Sequence, residues 1–112
     1  MTIGKAITKY VRISPRKARL AANLIRGLGV SQAMTQLRFS QLKAGKLLNK
    51  TLMSAVANAE FQHDIGRDDL VVMEVRVDEG PTQKRARPKN RGGRVPIMKR
   101  TSHFTVVVGQ GV

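Results

Sequence analysis

Lys84, Arg85, Arg87, Lys89, Arg91, Arg94, Lys99 and Arg100 fall between Pro81 and Arg100 with no acidic residue among them. A guanidinium bridges two phosphate oxygens in one plane, and an ammonium group acts as a point charge, so the set suits a polyanion backbone. Eight like charges cannot pack on one another, because each would lose hydration and gain only repulsion. Catalytic chemistry is poorly served by contrast. The chain has no Cys, two well-separated histidines, and acids only between Glu60 and Glu79. A nucleophile and its base must converge in space, which this distribution disfavours. Adjacent carboxylates such as Asp68-Asp69 and Asp78-Glu79 do not face a common site reliably and are read as solvent charge. His63 reads as a surface residue, and His103 as a structural histidine at a strand start. Gly92-Gly93 is turn chemistry, since no strand–GxxxxGK–helix context surrounds it. The expectation is a non-enzyme with no cofactor and no metal.

The composition agrees. A chain of 112 residues forms one domain with a modest core. A formal charge of +14 predicts association with nucleic acid or an anionic surface. The hydrophobic share of 41% is too high for a wholly disordered chain. Without a long apolar run or a signal-like N-terminus, the expectation is a soluble, cytosolic protein with no membrane partner. Charge is distributed in blocks. Residues 1–59 hold eleven basic side chains and no acid, and all seven acids then crowd into 60–79, opposed only by Arg67 and Arg76. Ordinary helices intersperse both signs. A helical region without acids has exposed faces suited to phosphate, and the acidic block marks a face left in solvent.

The elements that must position these residues follow from periodicity. Residues 5–13 alternate as a strand without a clean apolar face. Ser14-Pro15 offers an N-cap and N1 proline for a first helix. Its stripe is Ala18, Ala21, Leu24 and Ile25, and Gly27 and Gly29 stop it. Ser31 can cap a short second helix carrying Ala33, Met34 and Leu37. Ser40 can cap a third, with a stripe of Ala44, Leu47, Leu48, Leu52, Ala55, Val56 and Ala59. After Gly66 come two strands, 70–78 and 104–108. In the first, Val71, Met73, Val75 and Val77 form one face and Val72, Glu74, Arg76 and Asp78 the other. The order β-α-α-α-β-β points to an α+β domain with a small antiparallel sheet. Between the late strands the chain must double back, giving a basic finger roughly 30 Å long. Pro81, Pro88 and Pro96 disfavour a regular ladder in it, and Gly92-Gly93 supplies the turn.

Several stretches resemble the family of large-subunit ribosomal protein twenty-two. They are Ser14-Pro15-Arg16-Lys17-Ala18-Arg19-Leu20, Leu24-Ile25-Arg26-Gly27, Ser54-Ala55-Val56-Ala57-Asn58-Ala59-Glu60, Val77-Asp78-Glu79-Gly80-Pro81 and Lys99-Arg100-Thr101-Ser102-His103-Phe104-Thr105-Val106-Val107-Val108. They stand in family order over nearly the whole chain. The resemblance implies three helices on a three-stranded antiparallel sheet, with residues 81–103 as an extended hairpin of a single rRNA-binding domain, 1–112. It implies a structural constituent of the bacterial-type large subunit that binds 23S-type rRNA and aids assembly, in a cytoplasmic or organellar ribosome. The hairpin would line the peptide exit tunnel near ribosomal protein four and the nascent peptide, and influence macrolide action and nascent-chain stalling. Pro88, Lys89, Asn90, Arg91, Gly92 and Gly93 would form the tunnel-lining tip. There the sequence departs from the family pattern, with Asn90 at a small-residue position and Gly93 at a basic one. Arg94 supplies a charge one residue later.

A-form RNA hides its bases in a deep groove, so an rRNA clamp works through phosphates, 2′-hydroxyls and shape. Phosphate contacts are assigned to Arg12, Arg16, Lys17, Arg19 and Arg26 around the first helix. Lys43, Lys46 and Lys50, at i, i+3 and i+7, face a second RNA segment, and the eight basic residues of the finger bridge others. Ser14, Thr101, Ser102 and His103, inside the family-like motifs, complete the rRNA-binding set. The alternative is a basic helix-turn-helix DNA-binding protein, with helices 16–26 and 32–39 and Gln32, Gln36 and Arg38 at base edges. It leaves the finger without a role. A membrane-active peptide fails for want of a basic helix with a broad apolar face.

Overall fold

The computed structural model describes residues 2–40, 43–63, 66–88 and 94–110, with residues 2–3, 83–88 and 94–98 as backbone only. Of the expected tip, Pro88 to Gly93, only Pro88 is described, and residues 89–93 lie outside the described residues. The order is β1 (Thr2–Val11), α1 (Pro15–Ile25), α2 (Val30–Arg38), α3 (Lys43–His63), a 3-10 turn (Arg67–Asp69), β2 (Leu70–Glu79), β3 (Gln83–Pro88), β4 (Arg94–Lys99) and β5 (Ser102–Gln110). β5 is central in an antiparallel sheet of order β1-β5-β2, while β3 and β4 pair separately. The α+β class and the order of elements are as expected. The radius of gyration is 16.9 Å and the long axis 62 Å. A compact fold of this length would have a radius of about 13 Å, so the molecule is elongated.

The three helices cover one face of the sheet. Phe104, Val106 and Val108 of β5 join Val72, Val75 and Val77 of β2 and Ala6 of β1 in the core. The strand β1 shows no apolar face in sequence because its inner face is built from small residues. A Cβ on Gly4 would lie 2.4 Å from the Ala55 carbonyl oxygen and 2.8 Å from the Ala59 Cβ. The missing side chain is what lets α3 approach the strand so closely. Next along, the Thr8 and Thr51 hydroxyls hydrogen-bond at 2.8 Å, which satisfies the fully buried Thr51.

Four local expectations need correction. The face assigned to β2 changes phase midway. Val72 stands opposite Val108 and Glu74 opposite Val107, so Met73 is the extra residue of a bulge. Val72, Val75 and Val77 are therefore buried, whereas Met73 is 51% exposed. On α1, Ala22 takes the core position expected of Leu24, which is exposed. Helix α2 starts one residue before Ser31, with Gly29 at its N-cap. Finally, β3 and β4 form an unbroken ladder from Gln83 opposite Lys99 to Pro88 opposite Arg94. Pro96 faces Ala86, two steps from the Pro88 pair, so both prolines occupy the same class of pair. In the class whose N–H groups point away from the partner, a proline leaves no ladder bond unmade.

Candidate nucleic-acid interface

Helix α1 begins where Ser14 and Pro15 foretold, at an N-cap whose side chain makes no capping bond. The chain leaves the helix at Gly27, whose φ of 80° suits a residue without a Cβ. Its buried face is alanine-rich, with Ala18, Ala21 and Ala22 beside Ile25, so the helix lies close to β2. That closeness commits two of the predicted RNA ligands. The Nε and Nη2 of Arg19 donate to the Val77 carbonyl at 3.3 and 3.1 Å. The Nη2 of Arg26 donates to the Val75 carbonyl at 2.8 Å, and its Nη1 to Asn23 Oδ1. Further along the same strand, Val72 bonds through its N–H to the Leu28 carbonyl and through its carbonyl to the Gly27 N–H. Main chain and arginines together cover an edge strand that would otherwise present unpaired groups. A guanidinium has five N–H donors, so Arg19 and Arg26 keep others for a phosphate. Arg12, Arg16 and Lys17 are exposed near the start of the same helix.

The third helix is organised differently. Ala44, Leu48, Leu52, Ala55, Val56 and Ala59 are buried on one face, as the stripe implied, with Leu47 packed at its margin. Lys43, Lys46 and Lys50 are all exposed and share the opposite face. Their three charges line one side of a single rigid helix.

The root of the finger is a network of hydrogen bonds. The Gly80 N–H donates to the Thr101 carbonyl at 3.0 Å, and Thr101 Oγ1 donates to the Pro81 carbonyl at 2.7 Å. Ser102 is fully buried, and its hydroxyl donates to the Ile13 carbonyl at 2.7 Å. His103 Nδ1 accepts the Tyr10 N–H at 3.1 Å, and the two rings meet edge to face at 5.0 Å. Thr101, Ser102 and His103, expected as RNA ligands, are thus engaged in joining the finger to the body. Lys99 and Arg100 are exposed beside them. From this root β3 and β4 carry Lys84, Arg85, Arg87 and Arg94 away in one ladder.

The acidic block is exposed wherever it is described, apart from the half-buried Glu60. Arg67–Glu60 and Arg76–Glu74 pair at 2.9 and 2.8 Å. His63 is exposed, as expected. Among the described residues no helix is long and apolar enough to cross a membrane. Tyr10, which the sequence reading passed over, is 64% exposed with a φ of 59°. The signal in the sequence was its rarity, as the single tyrosine of a chain without tryptophan, placed among basic residues.

A small α+β body with exposed cations on two helices and a basic two-stranded extension defines a polyanion-binding class of protein. The sequence narrows the class: residues 6–109 match the family described as Ribosomal protein L22p/L17e, and the chain belongs to that family. It is 73% identical over 108 residues to the large ribosomal subunit protein uL22 of Protochlamydia amoebophila, covering 96% of this chain and 97% of the relative. It is 61% identical over 106 residues to the uL22 proteins of Chlamydia abortus and Chlamydia pneumoniae, covering 95% of this chain and 96% of each. Family membership makes the chain a structural ribosomal component and not an enzyme. The helix-turn-helix alternative is not supported.

Proposed function

We propose that the protein is a constituent of the large ribosomal subunit of a bacterial cytoplasm, where it binds 23S-type rRNA and braces distant RNA segments during assembly. Its whole length acts as one rRNA-binding domain, and residues 81–103 extend along the wall of the peptide exit tunnel. Arg12, Arg16 and Lys17 hold one RNA segment with the spare donors of Arg19 and Arg26, and Lys43, Lys46 and Lys50 hold another. The cations of the finger bridge further segments, and residues 88–93 face the nascent peptide near ribosomal protein four. Thr101, Ser102 and His103 serve this interface by fixing the root on which the cations stand, and Ser14 joins Arg12, Arg16 and Lys17 at the start of the first helix.

One observation carries the reading. A regular ladder bearing cations and no acid continues from the β2–β5 pair of a body that matches a ribosomal family along most of its length. Replacing Arg85, Arg87 and Lys89 by Ala tests it, with binding to large-subunit rRNA measured over a range of salt. Each lost phosphate contact makes the salt slope shallower by about 0.7–0.9 units, so three flatten it by roughly two to three. The body should melt unchanged, and ribosomes carrying the variant should assemble and answer macrolides differently. An unchanged slope with unchanged macrolide sensitivity would refute the assignment of the finger.

A further inference from the structure

We propose that Tyr10 is a stacking platform for an unpaired nucleotide of the rRNA, built at the root of the finger. This inference rests on the rRNA-binding reading above and adds a base contact to it.

The backbone is the first argument. The pairing of β1 with β5 shifts register between Thr8 and Val11, and within that shift Tyr10 adopts a φ of 59°. Glycine takes that conformation without steric conflict, whereas a bulky side chain there is an outlier. Such outliers persist only where surrounding structure over-determines them, and they cluster at binding sites. The over-determination is visible, since the Tyr10 N–H is held by His103 Nδ1 and the two rings are perpendicular.

The second argument is what the ring is left to do. Edge-to-face packing fixes its orientation without sandwiching it, so His103 covers at most one tyrosine face whichever ring gives its edge. The residue is 64% exposed. Its neighbours Lys9 and Arg12 are exposed cations, as are Lys99 and Arg100 at the end of the returning arm. Asp78, opposite His103 on β2, is the acid nearest in register. An oriented aromatic face among cations is the arrangement that holds splayed-out bases, through stacking on the ring and attraction along the phosphates.

Because the chain has one tyrosine and no tryptophan, Tyr10 is its own reporter. The experiment titrates the protein with a large-subunit rRNA transcript, and separately with a perfectly paired RNA duplex, following tyrosine emission and filter-binding affinity. The transcript should quench the emission and the duplex should not. Tyr10→Phe should keep its affinity for the transcript. Tyr10→Gly, which suits the backbone and so should melt no lower than the parent, should lose at least about fivefold in affinity. Equal affinity of Tyr10→Gly and the parent overturns the proposal, as does transcript binding without quenching, which would leave the ring to a protein neighbour. Failure of the parent protein to bind the transcript at all would instead overturn the rRNA-binding reading, and this inference with it.

Discussion

On α1, Arg19 and Arg26 are bonded to carbonyls of the β2 edge, whereas on α3 the described residues offer Lys43, Lys46 and Lys50 no partner. Both helices present basic side chains to solvent, yet the two faces are built for different duties. The planar fork of arginine can satisfy a backbone oxygen with some donors and present the rest, so those cations stabilise the fold before RNA arrives. Lysine offers a mobile point charge whose loss leaves nothing unpaired in the protein. Equal charge in the sequence therefore hides unequal roles, and substitution separates them.

The largest effect belongs to neither charged face but to what lies beneath one of them. Leu48 is fully buried under the lysine face of α3. Leu48→Ala should cost about 2–5 kcal/mol in urea denaturation, from lost burial plus the cavity left behind. A loss below that range would mean that α3 is held by its ends and not by its stripe, and the contrast between the two helices would collapse.

The same helix shows how far sequence reaches. Its stripe was legible because five turns of consistent spacing average out single exceptions. Helix α1 was legible at its ends, from Ser14-Pro15 and Gly27, but not at Leu24. Several alanines can fill a close helix–sheet contact, and a leucine in the stripe can face water. Strand β2 misled through Met73, because one bulged residue reverses every later side chain and leaves no mark in a run of valines. The cations of the interface were legible as a set, from blocks of charge. The commitments of Arg19, Arg26 and Ser102 were not, since a hydrogen bond to a carbonyl on another element depends on packing that no local pattern encodes. Proline in the finger read as an obstacle only because pairing class, which decides whether an N–H is needed, is invisible before the register is known.

A middle-sized effect tests the arginine side of the comparison. Arg19→Met and Arg26→Met keep much of the aliphatic stem but uncover the Val77 and Val75 carbonyls. Each should lower stability by about 1 kcal/mol, discounted from the usual value for a charged hydrogen bond because both residues are exposed. Each should also make rRNA binding less salt-dependent. A loss in one measurement without the other would show that the guanidinium serves a single purpose, and the dual role would have to be given up for that residue.

The smallest effect on stability is expected at the lysines, where the comparison is sharpest. Lys46 and Lys50 are exposed on α3 and bonded to nothing described. Lys46→Ala and Lys50→Ala should each change stability by less than about 0.5 kcal/mol, since alanine is at least as good a helix former and no buried group is uncovered. If both meet phosphates, the double variant should flatten the salt slope of rRNA binding by about 1.4–1.8 units. The α1 variants should move both observables and the α3 variants only the second. Should the lysine variants leave the slope unchanged, the α3 face is solvated charge, and the rRNA hold of the body rests on α1 alone.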